Sequence, residues 1–164
     1  MLLPQITADY SPGMSCSPTF RQEDVARVAR NVFQGTPIVL AYAYGSRVTG
    51  SASPGSDLDV GYFLSGKHAA QPLSVHDEMV LADRMSRRIG VEVDLRNVGL
   101  APLEWQARVI REGVLIVSCD EPTRVEIERG ILVRWFDEQQ RLDRFHNMRL
   151  EAFAAAGLRK ADAS

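Results

Sequence analysis

Ala43-Tyr44-Gly45-Ser46-Arg47-Val48-Thr49-Gly50 closes an apolar run, and Ser56-Asp57-Leu58-Asp59-Val60-Gly61-Tyr62-Phe63-Leu64 opens the next, with ten residues between Ser46 and Asp57. On a strand, residues i and i+2 share a face, so Asp57 and Asp59 point one way while Leu58 and Val60 point the other. Two adjacent carboxylates repel, which pushes one towards protonation unless a cation lies between them. Mg²⁺ suits such a pair: it is a hard ion, takes oxygen ligands and commonly shares its shell with substrate phosphates. Upstream, the Gly45-Ser46 turn offers backbone N–H groups and a hydroxyl at a strand end, the makings of an anion-binding concavity. Gly50, Pro54 and Gly55 suit the tight returns of the connecting loop.

A third carboxylate follows. Val91-Glu92-Val93-Asp94-Leu95-Arg96-Asn97-Val98 alternates apolar and polar residues as a half-buried strand does. Val91, Val93 and Leu95 form one face, and Glu92, Asp94 and Arg96 the other. Placed beside Asp57 and Asp59, Asp94 completes a set able to hold two divalent ions for in-line displacement. Asp-x-Asp alone is common on solvated strand edges; the Gly-Ser offset, the flanking apolar strands and the later Val-Asp-Leu favour a metal site. Glu92 is read as a solvated strand residue, and Arg84, Arg87 and Arg88 as a solvated helix face.

The Gly-Ser-x10-Asp-x-Asp spacing is the signature of the nucleotidyltransferase superfamily, the DNA polymerase β-like fold. The resemblance implies an α/β (α+β) domain, a small mixed sheet of about four strands with helices packed on it and a long C-terminal helix.

Composition sets the class. The chain has 164 residues, 19 basic against 21 acidic, with net charge −2. That length suits one domain with a sizeable core. Without a basic tract, a role on long nucleic acid is disfavoured, so no direct nucleic-acid partner is expected. Cys16 and Cys119 lack metal-ligand spacing, and His68, His76 and His146 are scattered. Two lone cysteines suggest a reducing compartment. No apolar run approaches the ~20 residues of a membrane span, and no signal-peptide pattern opens the chain. A cytoplasmic protein without membrane contact is expected.

Residues 1–18, rich in Ser, Pro and Gly, read as a flexible leader, 19–157 as the catalytic domain and 158–164 as a tail. Thr19-x-x-Gln22 has the form of a capping box, opening a helix with the stripe Val25, Val28, Ala29, Val32 and Phe33. Pro37–Tyr44 and Asp57–Leu64 read as strands. Ser74 with Asp77 starts a helix carrying Val75, Met79, Ala82, Met85 and Ile89 on one side, ended by Gly90 after Arg87 and Arg88. Val91–Val98 is the third strand, Pro102–Arg111 a short helix closed by Gly113, and Val114–Cys119 the fourth strand. From Pro122 the chain reads helical to about Phe153, with a possible kink at Gly130. Ile131, Leu132, Trp135 and Phe136 are expected in the core, whereas Leu142, Phe145, Leu150 and Phe153 could pack on the body or on another chain.

More closely, the chain resembles the minimal nucleotidyltransferase antitoxins of the MntA family, partners of HEPN toxins in type VII toxin–antitoxin pairs. The matching stretches are Tyr44–Gly50, Ser56–Val60, Val91–Leu95 and Glu104–Ile116. The last of these, helix-Arg-Glu-Gly-strand, favours the antitoxin branch. The resemblance implies Mg²⁺-dependent transfer of AMP from ATP to a tyrosine of a HEPN ribonuclease, with the toxin as partner in a possible oligomer. It further implies that Gly45 and Ser46 hold the triphosphate and that Asp57, Asp59 and Asp94 hold two Mg²⁺ ions. It implies as well that Asp94 helps deprotonate the tyrosine hydroxyl and that Arg47 and Ser56 join the nucleotide site. Two other readings stay open: a nucleotidyltransferase for a small hydroxyl compound such as an antibiotic, and a module that neutralises its partner by binding alone. Arg141-x4-His146 matches the loose Arg-x4-His spacing of HEPN ribonucleases, but one helical stretch cannot supply the bundle such a site needs.

Overall fold

Apolar runs of strand length alternate with amphipathic helices along the chain, and the computed structural model folds them into one sheet with helices on both faces. It describes residues 21–66, 68 and 71–161, with 151–161 described by their backbone alone. The order is α1 (Gln22–Phe33), β1 (Ile38–Tyr44), α2 (Ser46–Thr49), β2 (Leu58–Leu64), α3 (Val75–Ile89), β3 (Val93–Asn97), a 3₁₀ turn (Val98–Leu100), α4 (Leu103–Glu112), β4 (Val114–Ser118) and α5 (Glu121–Ala161). The leader and Thr19 of the expected capping box lie outside the described residues. Gln22, its other half, donates from Nε2 to the Leu115 carbonyl at 3.2 Å instead of reaching back along its own helix.

The sheet order is β3-β2-β1-β4. β1 lies antiparallel to β2 and to β4, while β2 and β3 run parallel. A parallel pair needs a crossover connection, and α3 provides it. Ser74 caps α3, its Oγ accepting from the Asp77 N–H at 3.1 Å, and Gly90 closes it at φ 82°. The expected stripe of α3 is shifted. Leu81 and Met85 are buried, Ala82 and Ile89 pack partly, but Val75 and Met79 are exposed. Glu78 fixes the phase by accepting from the Tyr62 hydroxyl at 2.5 Å, which leaves Met79 turned about 100° away.

One sheet face, bearing Ala41, Ala43, Leu58, Val60, Tyr62, Val93 and Leu95, is buried with the apolar stripes of α1 and α3. The other, bearing Leu40, Tyr42 and Phe63, packs with α4 and the start of α5 through Val98, Ala107, Val109 and Ile131. Burying one Leu or Val side chain stabilises by about 1.5–3 kcal/mol, so these two layers fix the sheet on which the carboxylates stand.

Helix α5 runs unbroken through Gly130 and extends to Ala161, past the expected end at Phe153. Its first turns dock. Ile131 is buried, Leu132 and Trp135 pack partly, and Trp135 receives the Arg111 guanidinium over its ring at 4.6 Å. The Tyr42 hydroxyl donates to Glu128, which Arg124 chelates at 2.8 and 2.9 Å. Phe136, expected in the core, is exposed, because the docking of Ile131, Leu132 and Trp135 sets the phase of the helix and turns Phe136 about 100° from Trp135. Leu142, Phe145 and Leu150 are also exposed, with none of the described residues covering them; the side chain of Phe153 lies outside the described residues.

Candidate active site

Strand pairing assembles the site. In register across the sheet, Tyr44 of β1 pairs with Asp59 of β2, and Asp59 pairs with Asp94 of β3. Asp57 immediately precedes β2 and sits two residues from Asp59, hence on its face. The three expected carboxylates do converge. One oxygen from each of Asp57, Asp59 and Asp94 lies within 4.8 Å of the others, with Asp57 exposed and the other two half-buried. Such a cluster of hard oxygen donors fits Mg²⁺ chemistry.

The electrostatics agree with that fit. The Asp59 carboxyl is held above its ordinary value by burial first, then by the charges of Asp57 and Asp94. Arg96 offsets part of this field, its Nε donating to Asp94 Oδ2 at 2.7 Å. Tyr44, beside the cluster, has its phenol pushed up to about 12 by burial and by Asp59 and Asp94. Its hydroxyl therefore stays protonated at neutral pH.

Gly45 is required by position as well as by conformation. It has φ 78°, a left-handed value that side chains resist, and a Cβ there would sit 2.1 Å from Asp59 Oδ2. The bare backbone lets the turn approach the carboxylate. After Gly45 the chain makes the single helical turn α2, with Val48 and Thr49 N–H groups donating to the Gly45 carbonyl at 3.1 Å. This short helix is where only a turn was expected.

The loop from Gly50 to Ser56 is held by its own polar groups. Arg47 Nε donates to the Ser56 carbonyl at 2.7 Å, spanning the loop's two ends. Ser56 Oγ accepts from the Ser53 N–H and contacts the Ser53 hydroxyl, both at 3.0 Å. Both residues thus brace the loop that carries Asp57 into place.

A cavity of about 370 Å³ opens beside Gly45 and Ser46. Tyr44, Thr49, Ser51 and, from α4, Trp105, Arg108, Val109 and Glu112 complete its lining. Trp105 meets the Tyr44 ring edge-on, with centroids 6.3 Å apart. These α4 residues carry no role in the site that the motifs predict. The available signal was Trp105, Arg108 and Glu112 at spacings of three and four, one helix face carrying an aromatic and a charged pair.

Comparison with known proteins places this geometry. The profile of the "Polymerase beta, Nucleotidyltransferase" family matches residues 28–122, which span β1, β2, β3 and all three aspartates. No curated protein sequence matches the chain. Among solved structures, a toxin–antitoxin crystallised with AMP-PNP is similar at 16% identity and TM-score 0.58, over 78% of this chain and 97% of that one. A tri-AMPylated Shewanella oneidensis HEPN toxin in complex with MNT antitoxin is similar at 14% identity and TM-score 0.57, over 77% and 97%. The toxin–antitoxin MntA–HepT gives 14% and 0.54, over 75% and 94%. At such identities the likeness is one of fold. The family match spans more than half of the chain and includes the site, and the chain belongs to the polymerase beta nucleotidyltransferase family.

Proposed function

We propose that this chain is an antitoxin that transfers AMP from ATP to a tyrosine hydroxyl of a HEPN ribonuclease and so silences it. The observation that carries the chemistry is the convergence of Asp57, Asp59 and Asp94 beside the Gly45-Ser46 turn. The fold shared with an AMP-PNP-bound toxin–antitoxin and with an MNT antitoxin in complex with an AMPylated HEPN toxin supports the partner and the acceptor.

In this reading Gly45 and Ser46 cradle the triphosphate, while Arg47 and Ser56 shape the loop around it and Arg47 adds positive charge. Asp57, Asp59 and Asp94 would hold two Mg²⁺ ions, which would supply charge stabilisation for the triphosphate and lower the pKa of the acceptor hydroxyl. The tyrosine oxygen forms a bond to the α-phosphorus as the bond to the β-phosphate bridging oxygen breaks. Pyrophosphate leaves, and the phenolic proton passes to Asp94. Positioning and charge stabilisation supply most of the rate gain, as in phosphoryl transfer generally. The toxin is the partner, nucleic acid is not contacted directly, and the pair works in the cytoplasm. Among the described residues no helix is long and apolar enough to cross a membrane.

Growth rescue tests the reading. Cells expressing a HEPN toxin that this chain neutralises are expected to survive with the wild type and to die with Asp57→Asn/Asp59→Asn. Rescue by the variant at equal expression would mean that binding alone neutralises. Loss of rescue with no AMP on the toxin in the wild-type cells would contradict the proposed acceptor.

A further inference from the structure

The site has a direction across the sheet. Asp94 on β3 marks one end, Asp59 on β2 the middle, and Tyr44, followed by Gly45 and Ser46, the other end on β1. In-line displacement places the attacking and leaving oxygens on opposite sides of the α-phosphorus. With the acceptor hydroxyl beside Asp94, the leaving pyrophosphate must lie over the β1 end, where the cavity roofed by α4 opens.

The lining has the chemistry of a polyphosphate site. Ser46, Thr49 and Ser51 bring hydroxyls, and Arg108 brings the guanidinium. The neighbouring arginines are engaged elsewhere: Arg47 Nε braces the Ser56 carbonyl, and Arg111 lies over Trp135. Arg108 pairs with Glu112 at 3.0 Å, and the two side chains are 71% and 55% exposed. An exposed pair one helical turn apart is weak and exchanges readily. A phosphate, by contrast, can take a guanidinium through two parallel hydrogen bonds.

We infer that Arg108 binds the β- and γ-phosphates of the nucleoside triphosphate, and that Glu112 holds its guanidinium at the cavity mouth until the phosphates displace it. The inference rests on the nucleotidyltransferase reading of the site and adds a leaving-group residue from α4, outside the Gly-Ser and Asp-x-Asp motifs. Glu112 competes with the phosphates, so the two residues have opposite effects on affinity.

Calorimetric titration of ATP and of AMP, with Mg²⁺ and without acceptor, separates the possibilities. Arg108→Ala is expected to weaken ATP binding about 10-fold and leave AMP within about 2-fold, because one charge-assisted contact to the outer phosphates is lost. Glu112→Gln is expected to tighten ATP about 2- to 3-fold, by removing a weak competitor. Arg108→Ala that leaves ATP affinity unchanged, or weakens ATP and AMP equally, overturns the inference while leaving the nucleotidyltransferase reading in place. A wild-type protein that binds no ATP overturns both.

Discussion

The sheet face covered by α1 and α3 and the face covered by α4 and α5 are built from the same strands, yet only one is closed from end to end. Under α1 and α3, Val60, Tyr62, Val93 and Leu95 continue one apolar layer along β2 and β3. On the other face the apolar layer of Leu40, Tyr42 and Phe63 stops at Tyr44, and beyond it stand Asp59, Asp94 and the cavity beside α4. Strand alternation puts the two on opposite faces through successive residues of the same strands, Leu58 and Val60 inwards under α1 and α3 and Asp59 on the open side. The closed face supplies the rigidity that lets the open face hold three carboxylates together at a cost in stability. Substitutions on the two faces should therefore separate activity from stability.

The largest effect is expected on the open face. Asp57→Asn/Asp59→Asn should lower nucleotidyl transfer by about 10³-fold or more, since charge stabilisation at the transferring phosphate is lost, with circular dichroism showing the fold intact. Met85→Ala, in the closed layer at 0% exposure, should cost about 2–5 kcal/mol in urea unfolding, with specific activity retained in the folded fraction. Gly45→Ala should do both kinds of damage. The strained left-handed backbone costs about 1–3 kcal/mol, and the new methyl must push Asp59 aside, so metal-dependent activity falls as well.

A smaller effect of opposite sign tests the cost of the site. The folded state raises the Asp59 carboxyl above its ordinary value of 3.8, so it binds that proton more tightly than the unfolded chain does. This group's contribution to stability is therefore lost as pH rises from 3.8 through the raised folded value, and the penalty is complete above it. Without metal at pH 7, Asp59→Asn should be more stable than wild type, because the neutral amide escapes the burial penalty and the repulsion by Asp57 and Asp94. The gap should close as pH falls towards 3.8, and Mg²⁺ should also narrow it by stabilising the wild type alone. Denaturant melts across pH, with and without Mg²⁺, check both. The smallest effect belongs to the outer part of α5. Phe145→Ala should change stability by no more than about 0.5 kcal/mol, because that ring is 59% exposed.

The convergence at the candidate site was legible in the sequence where residue type and spacing coincide. Asp57, Asp59 and Asp94 are marked by residue type and strand period and Gly45 by its turn at the end of an apolar run, and the register of β2 on β3 sets Asp59 beside Asp94. Arg108 and Trp105 were not assigned there, because their relation to Gly45 depends on how α4 lies over β1, which no local pattern encodes. The same limit explains the other differences. Met79 and Phe136 are apolar and near the right helical spacing, but the phase of each helix is fixed by tertiary contacts, Glu78 with Tyr62 and Arg111 over Trp135. Arg47 follows Gly45-Ser46 directly, and sequence could not reveal that its Nε spans the loop to the Ser56 carbonyl.

The central claim is that the carboxylate cluster moves AMP onto a protein. The most direct measurement adds α-labelled ATP and Mg²⁺ to native cell extract, with wild-type protein and with Asp57→Asn/Asp59→Asn. A discrete labelled protein band present only with the wild type is the predicted result, and the label should map to a tyrosine of a HEPN ribonuclease. Label confined to small molecules, or no label from a protein that still neutralises its partner, would contradict the account.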